Sequence, residues 1–308
     1  MSGIPTNTTS VSLPTDLAQV VMQKAYDQSA VMQLATQIEL PGRGLSIPTI
    51  TGDPEAEWVD ETDNKPVKAP GIGMKVMKGH TLAVILPFSN QFRRSLPALF
   101  DAIVARLPGA MAKKFDQTCV GAVNAPGADF NTFASSTAQS LIATQNHTLY
   151  EGLVAADADI SAAGFVMNGF ALSPQARSLL LGATDNQGRP LFLNSVADGA
   201  VPMILSAPTR MGRGMYKAGA APVGTGAGTP AVVGVAGDWT QASYGLAKDI
   251  DITFSDQATL TYTDENSQTV TINLWQRNMF AVRCEFEAGF VCTATAFNQL
   301  LGAVPSGS

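Results

Sequence analysis

Charge is the scarcest commodity in this 308-residue chain: Asp, Glu, Lys and Arg make up 14% of it while 45% is hydrophobic, against roughly 25% charged in ordinary soluble domains. By the usual surface scaling a lone globule of 32.2 kDa would expose roughly 12,000 Å², or about one formal charge per 280 Å². Such thin cover suits either a membrane protein or a subunit whose surface is largely occupied by neighbours. Long apolar runs are missing too. The longest, residues 82–88 (LAVILPF), falls far short of the ~18 residues that span a bilayer, which leaves the covered subunit. The opening MSGIPTNTTSVSLP has neither a basic head nor an apolar h-region, so no secretory signal is expected and synthesis is cytoplasmic.

Cysteine and histidine are equally sparse. Cys119, Cys284 and Cys292 form no CxxC, which argues against a disulfide framework or a zinc site and for buried, reduced thiols. His80 and His147 have no carboxylate or cysteine at ligand spacing, so both read as structural. Asp157 and Asp159, two apart on a helical stretch, point to different sides and make no metal pair. GTGAGTP at 224–230 lacks the Gly-Lys-Ser/Thr ending of a phosphate loop, Gly71-Ile72-Gly73 and Gly212-Arg213-Gly214 open no dinucleotide-type unit, and no Gly-x-Ser-x-Gly elbow occurs. No cofactor or metal is expected. With a net charge of −6 and no Lys/Arg run beyond Arg93-Arg94 and Lys113-Lys114, tight phosphate-driven binding of nucleic acid by the free chain is electrostatically unfavourable.

The sequence does carry pattern. Residues 14–38 begin at Pro14-Thr15-Asp16 and place Val20, Val21, Ala25, Val31 and Leu34 at helical spacing. Residues 39–90 hold two strand-like pieces around a polar centre, Asp60 to Lys68, and read as a two-stranded finger with a charged tip. From Leu96, the spacing of Ile103, Leu107, Met111 and Phe115 predicts one apolar helical stripe ending by Gly121, kinked at Pro108. Residues 148–163 read as a second helix and 164–193 as strand, turn, helix, turn, with a strong turn signal at Asp185-Asn186-Gln187-Gly188. VPMIL (201–205) and AVVGVA (231–236) are strand-like, and strands are predicted over 250–254, 258–262 and 269–274. In residues 278–297, Phe280, Val282, Cys284 and Phe286 alternate with Ala281, Arg283, Glu285 and Glu287, the period of a half-buried strand with one greasy and one charged face.

Taken in order, SLPTDLAQVVMQKAYDQSAVMQLATQI before a SIPTI strand, AEWVDETDNKP in the finger, KKFDQTCVGA, GFALSPQARSLLLGATDNQGRPLF, GVAGDWTQASYGLAKDIDITFSD and RNMFAVRCEFEAGFVCTATAF resemble the major capsid proteins of tailed bacteriophages, the Hong Kong 97-like (HK97) fold. The resemblance implies an α+β capsid fold: an N-terminal arm (1–38), an extended E-loop hairpin (39–90), a peripheral (P) domain built from a spine helix (91–145) and antiparallel strands (250–308), and an axial (A) domain (146–249). It implies a noncatalytic subunit that forms hexamers and pentamers in an icosahedral shell, encloses double-stranded DNA without binding it specifically, and assembles in the bacterial cytoplasm without a membrane. Portal and decoration proteins are implied as partners. Many relatives begin with a scaffolding segment that is later cut away, whereas here the arm starts almost at Met1, so a separate scaffolding protein is expected, or none. The same fold also builds encapsulin-like compartments for cargo enzymes, and an unrecognised hydrolase is the distant rival.

The resemblance also marks contact residues: Trp58, Asp60, Glu61, Asp63, Lys65 and Lys68 on the finger, and Arg283, Glu285 and Glu287 on a strand face that meets helices or adjoining subunits. Some relatives weld their shells when a finger lysine attacks a neighbour's asparagine, helped by a glutamate seven residues beyond it. Lys65, Asn278 and Glu285 match those positions. On a regular strand 278 and 285 would face opposite sides, so a shell held without covalent bonds is the expectation.

Overall fold

The computed structural model describes residues 15–50, 58–59, 72–91, 96–142, 148–184, 203–222, 228–264 and 267–305. The helix predicted over 14–38 is in fact two, α1 (Thr15–Gln28) and α2 (Ala30–Leu34). The chain breaks at Ser29, whose hydroxyl accepts from the Met32 amide at 3.1 Å and donates to Asp116 Oδ1 at 2.6 Å. Asp116 Oδ2 accepts from the Ala30 amide at 3.1 Å, and Oδ1 from that of Val31 at 3.4 Å. Ser29 and Asp116 are both fully buried. A buried carboxylate is tolerable only when hydrogen-bonded, and here the donors are the otherwise orphaned N–H groups of the broken helix.

Asp116 belongs to α3 (Leu96–Cys119), the helix predicted from the apolar stripe, which continues through Pro108. Leu107, Met111 and Phe115 are buried as expected. Gly121 ends the helix region in the left-handed conformation (φ 77°), and Gly121 and Ala122 donate to the carbonyls of Thr118 and Gln117. That is a Schellman cap, which a residue with a Cβ would strain.

The helices pack on a four-stranded sheet. β1 (Thr36–Glu39) runs parallel to β9 (Ala242–Ser255), β9 pairs antiparallel with β12 (Met279–Cys292), and β12 pairs antiparallel with β4 (His80–Ser89). The alternation in β12 holds: Phe280, Val282, Cys284 and Phe286 are buried in the core shared with α3. Cys284 Sγ lies 3.6 Å from Met111 Sδ, and Phe115 meets Phe290 edge-on at 6.3 Å. Each such side chain withdrawn from water contributes about 1.5–3 kcal/mol. The three cysteines are free and buried. Burial pushes the thiols of Cys284 and Cys292 up to about 12 and that of Cys119 well above its ordinary value, so none is a ready nucleophile.

A five-stranded sheet forms the second layer, in the order β5 (Thr137–Ser140), β13 (Phe297–Leu301), β8 (Val232–Gly237), β6 (Gly169–Leu172), β7 (Thr209–Met211). The chain passes from β12 to β13 through one short turn, and the rings of Phe133, Trp239, Phe290 and Phe297, 4.8–5.5 Å apart, fill the join. Two helices cover this sheet: α4 (Leu149–Ala162), begun by a Thr148–Glu151 capping box, and α5 (Pro174–Leu181), begun by Ser173. Asp159 accepts from Gln139 and Asn298 at 2.8 and 2.7 Å, tying α4 to β5 and β13.

One strand prediction is corrected. VPMIL is not a strand where it is described: Ile204 and Ala207 exchange backbone hydrogen bonds around Leu205 and Ser206, both at positive φ (48° and 65°). Two left-handed central residues make a tight turn of the hairpin type, which ordinarily selects Gly or Asn. The turn signal at 185–188, His147 and most of GTGAGTP fall outside the described residues.

Candidate assembly surfaces

Opposite the helices, the central sheet shows its charged face. Arg283 stands between Ile85 of β4 and Thr253 of β9, and Glu285 between Ala83 and Asp251. Glu285 is the least exposed member of a small network: Arg283 Nε approaches one carboxylate oxygen at 3.4 Å and Lys248 Nζ the other, also at 3.4 Å, while Lys248 bonds Asp251 at 3.0 Å. Lys248 and Asp251 are three apart and would face opposite sides of a regular strand. The β9–β12 register shifts between Glu285 and Glu287 and again before Ala288, and these irregularities put both on the outer face. The hydrogen bonds that Lys248 donates to Asp251 and then to Glu285 raise its pKa. The charges of β12 therefore turn away from α3, and the ion-pair partners of Arg283 and Glu285 lie in their own sheet.

The root of the finger is equally well defined. β2 (Leu45–Ile50) pairs antiparallel with β3 (Ile72–Met77), Leu45 opposite Met77 and Ile50 opposite Ile72. Its inner face is pinned by Met77, Leu40 and Val291 with Leu45 and Ile47 against them. Lys75 Nζ donates to the Cys292 carbonyl at 2.7 Å and the Thr293 hydroxyl at 3.2 Å. The other face leaves Met74 69% and Val76 43% exposed, and Trp58 is wholly exposed. Asp60, Glu61, Asp63, Lys65 and Lys68 lie outside the described residues.

Asn278 is not on β12. It sits in the preceding turn at φ 52°, its side-chain oxygen accepting from Asn90 Nδ2 at 2.7 Å. Seven residues at about 3.3 Å each put Glu285 about 23 Å further along the strand. Distance, rather than facing, separates the two within one chain.

A family model described as "Phage capsid family" matches residues 9–296. The chain belongs to the phage capsid family. The probable major capsid protein gp17 of Mycobacterium phage L5 is 29% identical over 290 residues, covering 91% of this chain and 86% of the relative. The major capsid protein of Staphylococcus phage 80alpha is 22% identical over 300 residues, covering 95% and 85%. A solved structure from Gordonia phage Cozz superposes with a TM-score of 0.67 at 23% identity, covering 90% of this chain and 87% of that one. One from Mycobacterium phage Bobi gives 0.67 at 20%, covering 100% and 96%.

This capsid protein thus has the α+β Hong Kong 97-like fold, a structural rather than enzymatic role as a major capsid protein, and a place in the virion shell. The capsid names of the relatives favour the phage reading over the encapsulin-like compartment. Sequence reasoning missed Lys248 and Asp251, because only the irregular β9 register brings them to Glu285. It also missed Asp116, whose partners lie 85–87 residues away.

Proposed function

We propose that this capsid protein assembles as hexamers and pentamers into an icosahedral shell around packaged double-stranded DNA, in the host cytoplasm, with a separate scaffolding protein, a portal and decoration proteins as partners. The observation that carries the self-assembly is area. The chain exposes 18,662 Å², against roughly 12,000 Å² for a compact monomer of its mass. The excess of about 6,000 Å² is enough for several interfaces of about 800 Å² per partner. In this reading residues 1–38 are the arm, 39–90 the E-loop, 91–145 with 250–308 the P domain and 146–249 the A domain. Trp58, Asp60, Glu61, Asp63, Lys65 and Lys68 carry the finger onto a neighbour, and Arg283, Glu285 and Glu287 meet another with complementary charge.

Expressed with its scaffold, the chain should form closed particles tens of nanometres wide in electron micrographs. A stable monomer in the ultracentrifuge under every condition tried would refute the reading.

The shell is held noncovalently. Boiled denaturing gels of mature particles should show a single band near 32.2 kDa. A ladder that disappears on Lys65→Arg or Asn278→Asp would instead establish the isopeptide weld, with the asparagine and Glu285 drawn from different subunits.

A further inference from the structure

The helical side of the central sheet has the opposite electrostatic character from its strand side. α1 crosses α3 closely at Gly109, where an added Cβ would lie 2.7 Å from the Gln28 side-chain oxygen. Beside the crossing opens a cleft of about 400 Å³, lined by Asp27, Gln28, Gly109, Lys113, Met211 and Arg213. Lys24, one turn before Gln28, lies on the same face of α1 as that lining residue, and Arg106, two turns before Lys113, on the same face of α3. Lys24, Arg106, Lys113 and Arg213 are all exposed, and none forms an ion pair among the described residues, where Lys78, His80, Lys248 and Arg283 are the paired bases. Four cations without an ion pair among the described residues, beside a lining whose one carboxylate is Asp27, stand out on a chain of net charge −6. On the opposite face of the sheet Arg283, Lys248, Glu285 and Asp251 pair with one another.

We propose that this α1–α3 groove is a contact site for the phosphate backbone of the enclosed DNA, and hence that the helical face of the subunit is turned to the lumen. The proposal rests on the shell reading above. Arg106 and Lys113 are about 10 Å apart along α3 at 1.5 Å per residue. Duplex DNA carries one charge per about 1.7 Å of its axis with both strands counted, or about three phosphates of each strand over that span. The lining holds one apolar side chain, Met211, and no pocket for an anchoring ring, which suits a sequence-independent polyanion better than an acidic peptide. A few contacts per chain are weak, in keeping with the overall acidity. Repeated over every subunit of a shell, they act together on one long ligand.

The test is lysine footprinting of intact particles with a small amine-reactive reagent, before and after the genome is released. Lys24 and Lys113 should be protected in filled particles and become severalfold more reactive in emptied ones, while Lys248 reacts equally in both. Equal reactivity of Lys24 and Lys113 in the two states would overturn the proposal, as would protection in both, which would mean that a protein segment fills the groove. Lys113→Gln with Arg213→Gln should leave shell formation intact and reduce severalfold the fraction of heads that retain nuclease-resistant DNA on raising salt. Unchanged retention would also overturn it. Failure to form particles at all would defeat the shell reading instead, and this inference with it.

Discussion

Asp116→Asn is expected to remove most of the dependence of subunit stability on pH between about 4 and 7. Burial, outweighing the hydrogen bonds from Ser29, Ala30 and Val31, pushes the Asp116 carboxyl up to about 7 from an ordinary 3.8. The native state therefore holds a proton that the unfolded chain has already released throughout that window. A folded pKa raised above the unfolded one gives stability that is fully present below the unfolded value and is lost as pH climbs through the folded one. The span corresponds to about 4 kcal/mol at about 1.4 kcal/mol per pH unit, a large share of a typical domain's 5–15 kcal/mol.

The facing titratable group is Cys119, on the next turn of α3, its own thiol pushed up by burial and by Asp116. Among the described residues no cation pairs with the carboxylate, and Gly212 and Gly214 bring their backbone against it, an added Cβ at Gly214 meeting Asp116 Cβ at 2.5 Å. Asparagine keeps an acceptor for Ser29 but turns an N–H₂ towards the Ala30 amide, a mismatch of about 1–3 kcal/mol. Urea unfolding of unassembled subunits should therefore show the variant weaker than wild type near pH 4 and stronger than it near pH 8. Two stability curves running parallel across that range would show that the carboxyl is not what titrates. If wild type does behave this way, the joint between arm and spine helix loosens as the medium becomes alkaline.

Much of this architecture was legible because it is written in local periods. The two-residue alternation of Phe280, Val282, Cys284 and Phe286 placed one face of β12 in the core and its charges outside. The four-residue spacing of Leu107, Met111 and Phe115 gave the buried stripe of α3, and Gly121 its end. What stayed hidden depends on partners remote in sequence. Nothing near Ser29 says that Asp116 will cap a helix broken there, and nothing near His80 announces Asp129, whose carboxylate lies 3.1 Å from the ring. The shifts in β9 that bring Lys248 to Glu285 exist only against the register of β12. Leu205 and Ser206 lack the Gly or Asn that usually marks two successive positive-φ positions.

Replacing residues 51–71 by Asn-Gly should abolish shell formation and leave the subunit folded. Ile50 and Ile72 face each other across the ladder, so a two-residue turn can close the hairpin without disturbing its register. The root stays fixed by Met77, Leu40 and Val291 and by the Lys75 hydrogen bonds to Cys292 and Thr293. Of the excised positions, the two that are described, Trp58 and Val59, are exposed and lie outside the core. A surface change away from core and caps ordinarily moves stability by no more than about 0.5 kcal/mol. Assembly loses far more, because Trp58 and the acidic tip go, and Met74 and Val76 are left exposed on a stub. Buried aromatic residues dominate interface energy, at about 2 kcal/mol or more each, and in a closed shell that loss recurs at every subunit. Thermal melts of the shortened subunit should overlay wild type, while sedimentation with scaffold should yield no particles. Shells of normal size from this variant would show that the finger is dispensable and that contact between subunits runs through the charged sheet face alone.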